Sequence, residues 1–134
     1  MKKQILVAAV AVLILAGNVA AQEIEKNDIP KFSGFSASVF KDKYKSTNML
    51  LDVRDASLFA KGHIKGAINL TIDRAELPAK LKNIKREENV YLYSDSIATA
   101  AQAANILAAA GFKNVYILEG EYSELLKLGM LEVK

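Results

Sequence analysis

The sequence predicts an α/β fold of three layers, a small parallel sheet with helices on both faces. Three observations predict it. Short apolar stretches of strand length alternate with helix-patterned stretches, the order that builds a parallel sheet. Two of those stretches, Met49-Leu50-Leu51-Asp52-Val53 and Val90-Tyr91-Leu92-Tyr93, are near-continuous in apolar character, as strands covered on both faces are. The connections between the stretches are short.

Taken in order, the chain opens on Lys2-Lys3 and an apolar run from Ile5 to Ala16. Gly17-Asn18 interrupts the run, and Val19-Ala20-Ala21 places small residues before Gln22. This is the pattern of a cleaved secretory signal over residues 1–21. The run is shorter than the ~17 residues a membrane span needs, so no stable membrane anchor is expected after cleavage; an uncleaved anchor is the alternative. The mature protein is expected in the periplasm or outside the cell, for a bacterial source. Residues 22–34 are polar and include Pro30, and they read as a linker. A single domain is expected over residues 35–134.

Ser36 is a candidate N-cap for a helix through Lys45, with Val39, Phe40 and Tyr44 on its apolar side. The strand Met49 to Val53 follows, then Arg54-Asp55. Asp55 is placed to cap a helix over Ala56 to Lys61, which Gly62 ends. Ala67 to Leu70 reads as a short strand, and Leu77 to Ile84 as a helix with Pro78 tolerated in its first turn. The strand Val90 to Tyr93 leads through Ser94 to Ala98 into an alanine-rich helix from about Thr99. Ala103, Ile106, Leu107 and Ala110 mark its apolar stripe and Gly111 its end. Asn114 to Leu118 is the last predicted strand, and Tyr122 to Leu128 a closing helix.

Composition narrows the function. The 134 residues suit one domain, and a hydrophobic content of 51% suits a packed core. The formal charge is +3, two of it from Lys2 and Lys3, so nothing points to nucleic acid. Cysteine is absent, which excludes a disulfide framework, a thiolate metal site, a cysteine nucleophile and a lipid-anchored lipoprotein.

The stretch Leu50 to Leu70 resembles a rhodanese domain, the family of thiosulfate and other persulfide sulfurtransferases. The matching pieces are Asp52-Val53-Arg54, Phe59, Gly62-His63-Ile64 and Gly66-Ala67-Ile68-Asn69. A second set follows in order: Tyr93, Ala103-Ala104, Leu107, Gly111-Phe112, Asn114-Val115-Tyr116 and Leu118-Glu119-Gly120. The resemblance covers roughly Phe35 to Leu128 and implies a rhodanese-like three-layer α/β/α fold. It also implies that the loop after Tyr93 is the site, with a cysteine at its first position. That position is Ser94. The loop reads Ser94-Asp95-Ser96-Ile97-Ala98-Thr99, with Ile97 where the family has a glycine and Thr99 where it commonly has an arginine. Gly120 is kept, Glu121 stands in place of a second glycine, and the chain has no tryptophan.

Sulfur transfer needs a thiolate that attacks and then holds a second sulfur. A serine hydroxyl is not ionised at neutral pH, needs an adjacent base to attack and forms no persulfide. The expectation is therefore a degenerate loop with a binding or structural role. An enzyme that uses Ser94 differently, or an anion-binding protein, is the alternative. No G-x-S-x-G elbow surrounds Ser94, and the loop lacks the Cys and Arg of phosphatases on this fold. Backbone N–H groups at a helix start favour an anion, whereas Asp95 opposes one, with Glu119 and Glu121 expected as an acidic rim beside it. Asp52 and Arg54 are expected to pair with each other or to cap neighbouring backbone near the loop, and His63, the single histidine, to hold a turn. Tyr91, Tyr93 and Tyr116 are expected in the core. A divalent cation on Asp95, Ser94 and Asp52 would have few carboxylates. No metal and no cofactor are expected, and the partner is an unidentified protein or a small anion.

Overall fold

The computed structural model describes residues 32–72 and 77–134. The expected signal sequence and residues 22–31 of the expected linker lie outside the described residues. The chain runs β1 (Ser33–Phe35), α1 (Ala37–Lys43), β2 (Met49–Asp52), α2 (Ala56–Lys61), β3 (His63–Ile64), β4 (Ile68–Asn69), α3 (Leu77–Leu81), β5 (Asn89–Tyr93), α4 (Ile97–Ala109), β6 (Asn114–Leu118), α5 (Tyr122–Lys127) and β7 (Glu132–Val133).

Side chains alternate across a strand, and here that alternation sorts the core into two layers. Leu51 of β2, Val90 and Leu92 of β5, and Val115 and Ile117 of β6 pack with Leu77 and Leu81 of α3 and with α4. Their neighbours Leu50, Tyr91, Tyr93 and Leu118 turn the other way and pack with Phe40 of α1 and with Tyr122 and Leu125 of α5. The result is the α/β/α sandwich that the apolar runs predict. Five strands form the sheet in the order β1-β6-β5-β2-β4, with every pairing parallel. Leu51 lies opposite Leu92, and Asp52 opposite Tyr93.

That order carries a functional consequence. From β2 the chain moves outward to β4, then returns to place β5 on the other side of β2. The strand order therefore reverses between β2 and β5, and ligands of open α/β sheets bind beyond the carboxyl ends of such a pair.

Several elements differ from their sequence expectation. Ser33 and Gly34, read as linker, are strand: β1 pairs in parallel with β6, Ser33 opposite Tyr116. Three residues without an apolar run carry no strand signal. The central helix starts at Ile97 rather than Thr99, because Ser96 caps it. Its buried stripe is Ala100, Ala103, Ala104 and Leu107, with Ile106 partly buried against the same core, so of the stripe expected for it only Ala110 is exposed. Small side chains let this helix approach the sheet closely, and they leave the face ambiguous in the sequence. Gly111 ends the helix with φ of +98°, the left-handed backbone that glycine adopts at low cost. α1 stops at Lys43 and α3 at Leu81, both short of expectation. The antiparallel pair β3 and β7 is also absent from the sequence reading, since two-residue strands leave no periodicity.

Candidate functional site

The site is built from the ends of β2 and β5. Leu50 and Leu51 bury β2 in the sheet, so its last residue, Asp52, is fully buried as well. The chain compensates with Arg54, two residues on and 6% exposed. Arg54 Nε donates to Asp52 Oδ1 at 3.0 Å, and Nη2 donates to Asp52 Oδ2 at 2.7 Å. The Arg54 backbone N–H donates to Oδ1 at 2.9 Å, and Nη2 also reaches the Gly62 carbonyl at 2.6 Å. The guanidinium carbon lies 3.8 Å from the centroid of the Tyr122 ring, a cation–π distance. Burial alone would lower the Arg54 pKa, but the hydrogen bond to Asp52 and its charge, with a smaller contribution from Asp95, raise it. The expected Asp52–Arg54 pairing is thus present, and it forms the floor of the site rather than a free pair of reactive groups.

Above the floor is a cavity of about 170 Å³ lined by Val53, Arg54, Asp55 and Leu58 from the β2 side. Ser94, Asp95, Ser96 and Thr99 line it from the β5 side. The backbone holds the two sides in register: Val53 N–H donates to the Tyr93 carbonyl at 3.0 Å, and Tyr122 N–H to the Ser94 carbonyl at 3.0 Å. Ser96 is extended and its Oγ accepts from Thr99 N–H at 3.1 Å while donating to Thr99 Oγ1 at 3.1 Å. This is an N-cap for α4. Ser94 is 3% exposed, and its hydroxyl has no hydrogen-bond partner among the described residues.

Of the six loop residues, Ser94, Asp95, Ser96 and Thr99 line the cavity. Ile97 and Ala98 belong to the first turn of α4 and do not, Ile97 being 50% exposed. His63 does not line it either. It begins β3, its Nδ1 is 2.9 Å from the Phe59 carbonyl, and its ring stacks on Phe59 at 3.7 Å between centroids. The acidic rim differs from expectation. Glu119 and Glu121 are not among the lining residues: the Glu119 side chain lies against Gly34 of β1, and Glu121 occupies the N-cap position of α5. The acidic groups at the cavity are Asp95 and Asp55. Asp55 sits at the N-cap position of α2, yet its side chain makes no capping hydrogen bond. The parallel pairing of β2 and β5 is the signal that brings Asp55 to the loop. Tyr122 arrives from a distant helix, and nothing in the sequence announces it.

A rhodanese-like domain model matches residues 36–128, most of the described chain. The chain belongs to the rhodanese-like family. The uncharacterized protein YqhL of Bacillus subtilis is 28% identical over 120 residues, covering 90% of this chain and 87% of that protein. The thiosulfate sulfurtransferase GlpE of Tolumonas auensis is 33% identical over 73 residues, covering 54% of this chain and 67% of that protein. Among solved structures, the Alr3790 protein of Anabaena superimposes with a TM-score of 0.65 at 28% identity, covering 74% of this chain and 90% of that one.

Within this rhodanese-like frame the chemistry open to the site is narrow. The chain has no thiol. A serine nucleophile needs a base in hydrogen-bond reach, and no described side chain hydrogen-bonds the Ser94 hydroxyl. Among the described residues, no group of three or more His, Asp or Glu side chains is placed to hold a metal ion. No described helix is long and apolar enough to cross a membrane. The site is a small polar cavity whose lining includes the buried Ser94 and the carboxylates of Asp55 and Asp95, neither of which accepts a hydrogen bond from a described residue.

Proposed function

We propose that this protein is a rhodanese-like domain that binds a ligand or partner without transferring sulfur, and that it works in the periplasm or outside the cell. One observation carries the first part: Ser94 stands at the head of the loop where sulfurtransfer requires a thiol, and no cysteine exists elsewhere in the chain to replace it. The fold around that position is intact. The Asp52–Arg54 floor, the helix cap at Ser96 and the cavity are all formed, which supports retention of the pocket for binding. The location rests on the signal pattern of residues 1–21.

The test is thiosulfate-to-cyanide sulfur transfer by the protein recovered from the periplasm of a bacterium expressing the full chain. N-terminal sequencing of the same preparation is expected to begin at Gln22. No thiocyanate above the uncatalysed rate is expected. Thiocyanate formed in proportion to protein concentration would overturn the reading, because no residue is available to carry the sulfur. Hydrolase activity with Ser94 as nucleophile is the less supported reading, since no described side chain hydrogen-bonds its hydroxyl as a base would.

A further inference from the structure

We infer that the Ser94 cavity takes a short alkylammonium, a cation with N–H donors, rather than the oxyanion a sulfurtransferase loop would hold. This deepens the proposed binding role and rests on it. Two independent observations support the inference. The first is charge. Asp55 and Asp95 both line the cavity, both are exposed, and neither carboxylate accepts a hydrogen bond from a described residue. Among the described residues, Arg54 is the only basic side chain in the lining, and its charge is held by Asp52 at 2.7 Å. The positive end of α4 contributes roughly half a charge, against two full negative ones. Ser96 already occupies the Thr99 N–H of that helix end. The second observation is the Ser94 hydroxyl, buried at 3% exposure without a hydrogen-bond partner among the described residues. A buried hydroxyl is normally satisfied; a polar ligand group in the cavity satisfies it, and the charge of the lining selects an N–H donor over an oxyanion.

Size and lining complete the match. A volume of about 170 Å³ equals roughly five or six water molecules. Val53 and Leu58 provide apolar walls, while Ser94, Ser96 and Thr99 provide hydroxyl oxygens. A short alkyl body fits between the walls, and its ammonium meets the carboxylates and hydroxyls. A divalent cation does not fit as well, since hard cations favour more oxygen ligands and more carboxylates than this lining offers.

The test uses n-butylammonium chloride as the probe, followed by thermal unfolding and by amide chemical shifts of the full chain. 1-Butanol has a similar body without charge. Tetramethylammonium has the charge without N–H donors. Butylammonium is expected to raise the unfolding temperature in proportion to its saturation and to shift the amides of Ser94, Asp95 and Thr99. Asp55→Asn with Asp95→Asn is expected to weaken that binding by about tenfold. Because neither carboxylate accepts a hydrogen bond from a described residue, this double variant is expected to keep the fold. Equal responses to butanol or to tetramethylammonium, thiosulfate binding tighter than butylammonium, or no response to butylammonium would each overturn the inference. Any of these in a protein inactive in sulfur transfer leaves the proposed function standing, whereas sulfur transfer by the native chain removes that function first.

Discussion

Asp52 is the residue on which the site depends. It is fully buried, and its carboxylate oxygens accept from Arg54 Nε, Nη2 and backbone N–H. Such a pair contributes little net stability relative to an apolar isostere, but breaking it leaves a buried ionisable group without its partner. Arg54→Ala is therefore expected to destabilise the protein by about 3–5 kcal/mol, read as a lower urea midpoint. Arg54→Lys should recover only part of the loss. An ammonium lacks the planar fork that meets both Asp52 oxygens, and it stacks poorly on Tyr122. If Arg54→Ala unfolds at the native midpoint, the pair is not the floor of this site. Asp52-Val53-Arg54 leaves pairing and backbone capping both open, and both occur, since Asp52 Oδ1 also accepts the Arg54 backbone N–H. The aromatic cover of Arg54 was not legible, because Tyr122 lies 68 positions along the chain from Arg54 and comes into contact only through the sheet order.

At the scale of elements, the helix that follows the loop is set by Ser96. Its Oγ accepts the Thr99 N–H at 3.1 Å, so Ser96→Ala is expected to cost about 1 kcal/mol. Ser36→Ala is expected to cost less, because the Ser36 Oγ to Val39 N–H distance is 3.5 Å and the bond is weaker. Equal losses in denaturant unfolding would contradict that ranking. The same helix shows where reading a sequence succeeds and where it stops. The long apolar strands β2, β5 and β6 were legible because burial on both faces demands continuous apolar residues. The start of α4 was not: both Ser96 and Thr99 suit a cap or a first turn, and tertiary packing decides between them. Ala100 to Ala110 favours helix whatever its face, so the expected stripe holds Ala103 and Leu107 but misses Ala100 and Ala104 and includes the exposed Ala110. The short strands β1, β3 and β7 become strands only through partners far away in sequence. For the site, the loop was legible from the strand–helix junction, whereas Asp55 required the β2–β5 pairing to bring it there.

At the scale of the whole molecule, one core layer is aromatic, and this gives the protein a specific alkaline weakness. Tyr91 and Tyr93 of β5, with Tyr122 of α5, pack in the layer beneath α1, and Tyr44 lies against it. Tyr93 stacks on Tyr122 at 5.3 Å, and Tyr44 meets Tyr91 edge-on at 5.7 Å. Burial raises the pKa of all four phenols. For Tyr122 the hydrogen bond it donates to Glu132 raises it further, and for Tyr93 the charge of Asp52 does so, against the opposing effect of the Ile64 N–H it accepts. An unfolded tyrosine ionises near pH ~10. Below that value both states keep their protons, and the contribution of each ring to stability is fully present. As pH rises through ~10, the unfolded chain releases protons that the folded protein retains, so unfolding is increasingly favoured. Each ring contributes up to about 1.4 kcal/mol of lost stability per pH unit, until its folded form also ionises. Urea midpoints measured from neutral pH upward are therefore expected to fall steeply beyond pH ~10. Tyr122→Phe keeps the ring that covers Arg54 but removes a titrating group, so its midpoint should fall less steeply over that range than the native one. Tyr93→Phe should do the same from a lower starting stability, because the Ile64 N–H that donates to its oxygen at 3.0 Å loses its partner in the core. Parallel slopes in the native protein and both variants would show that the phenols do not set the alkaline limit. The aromatic layer would then contribute to stability through packing alone.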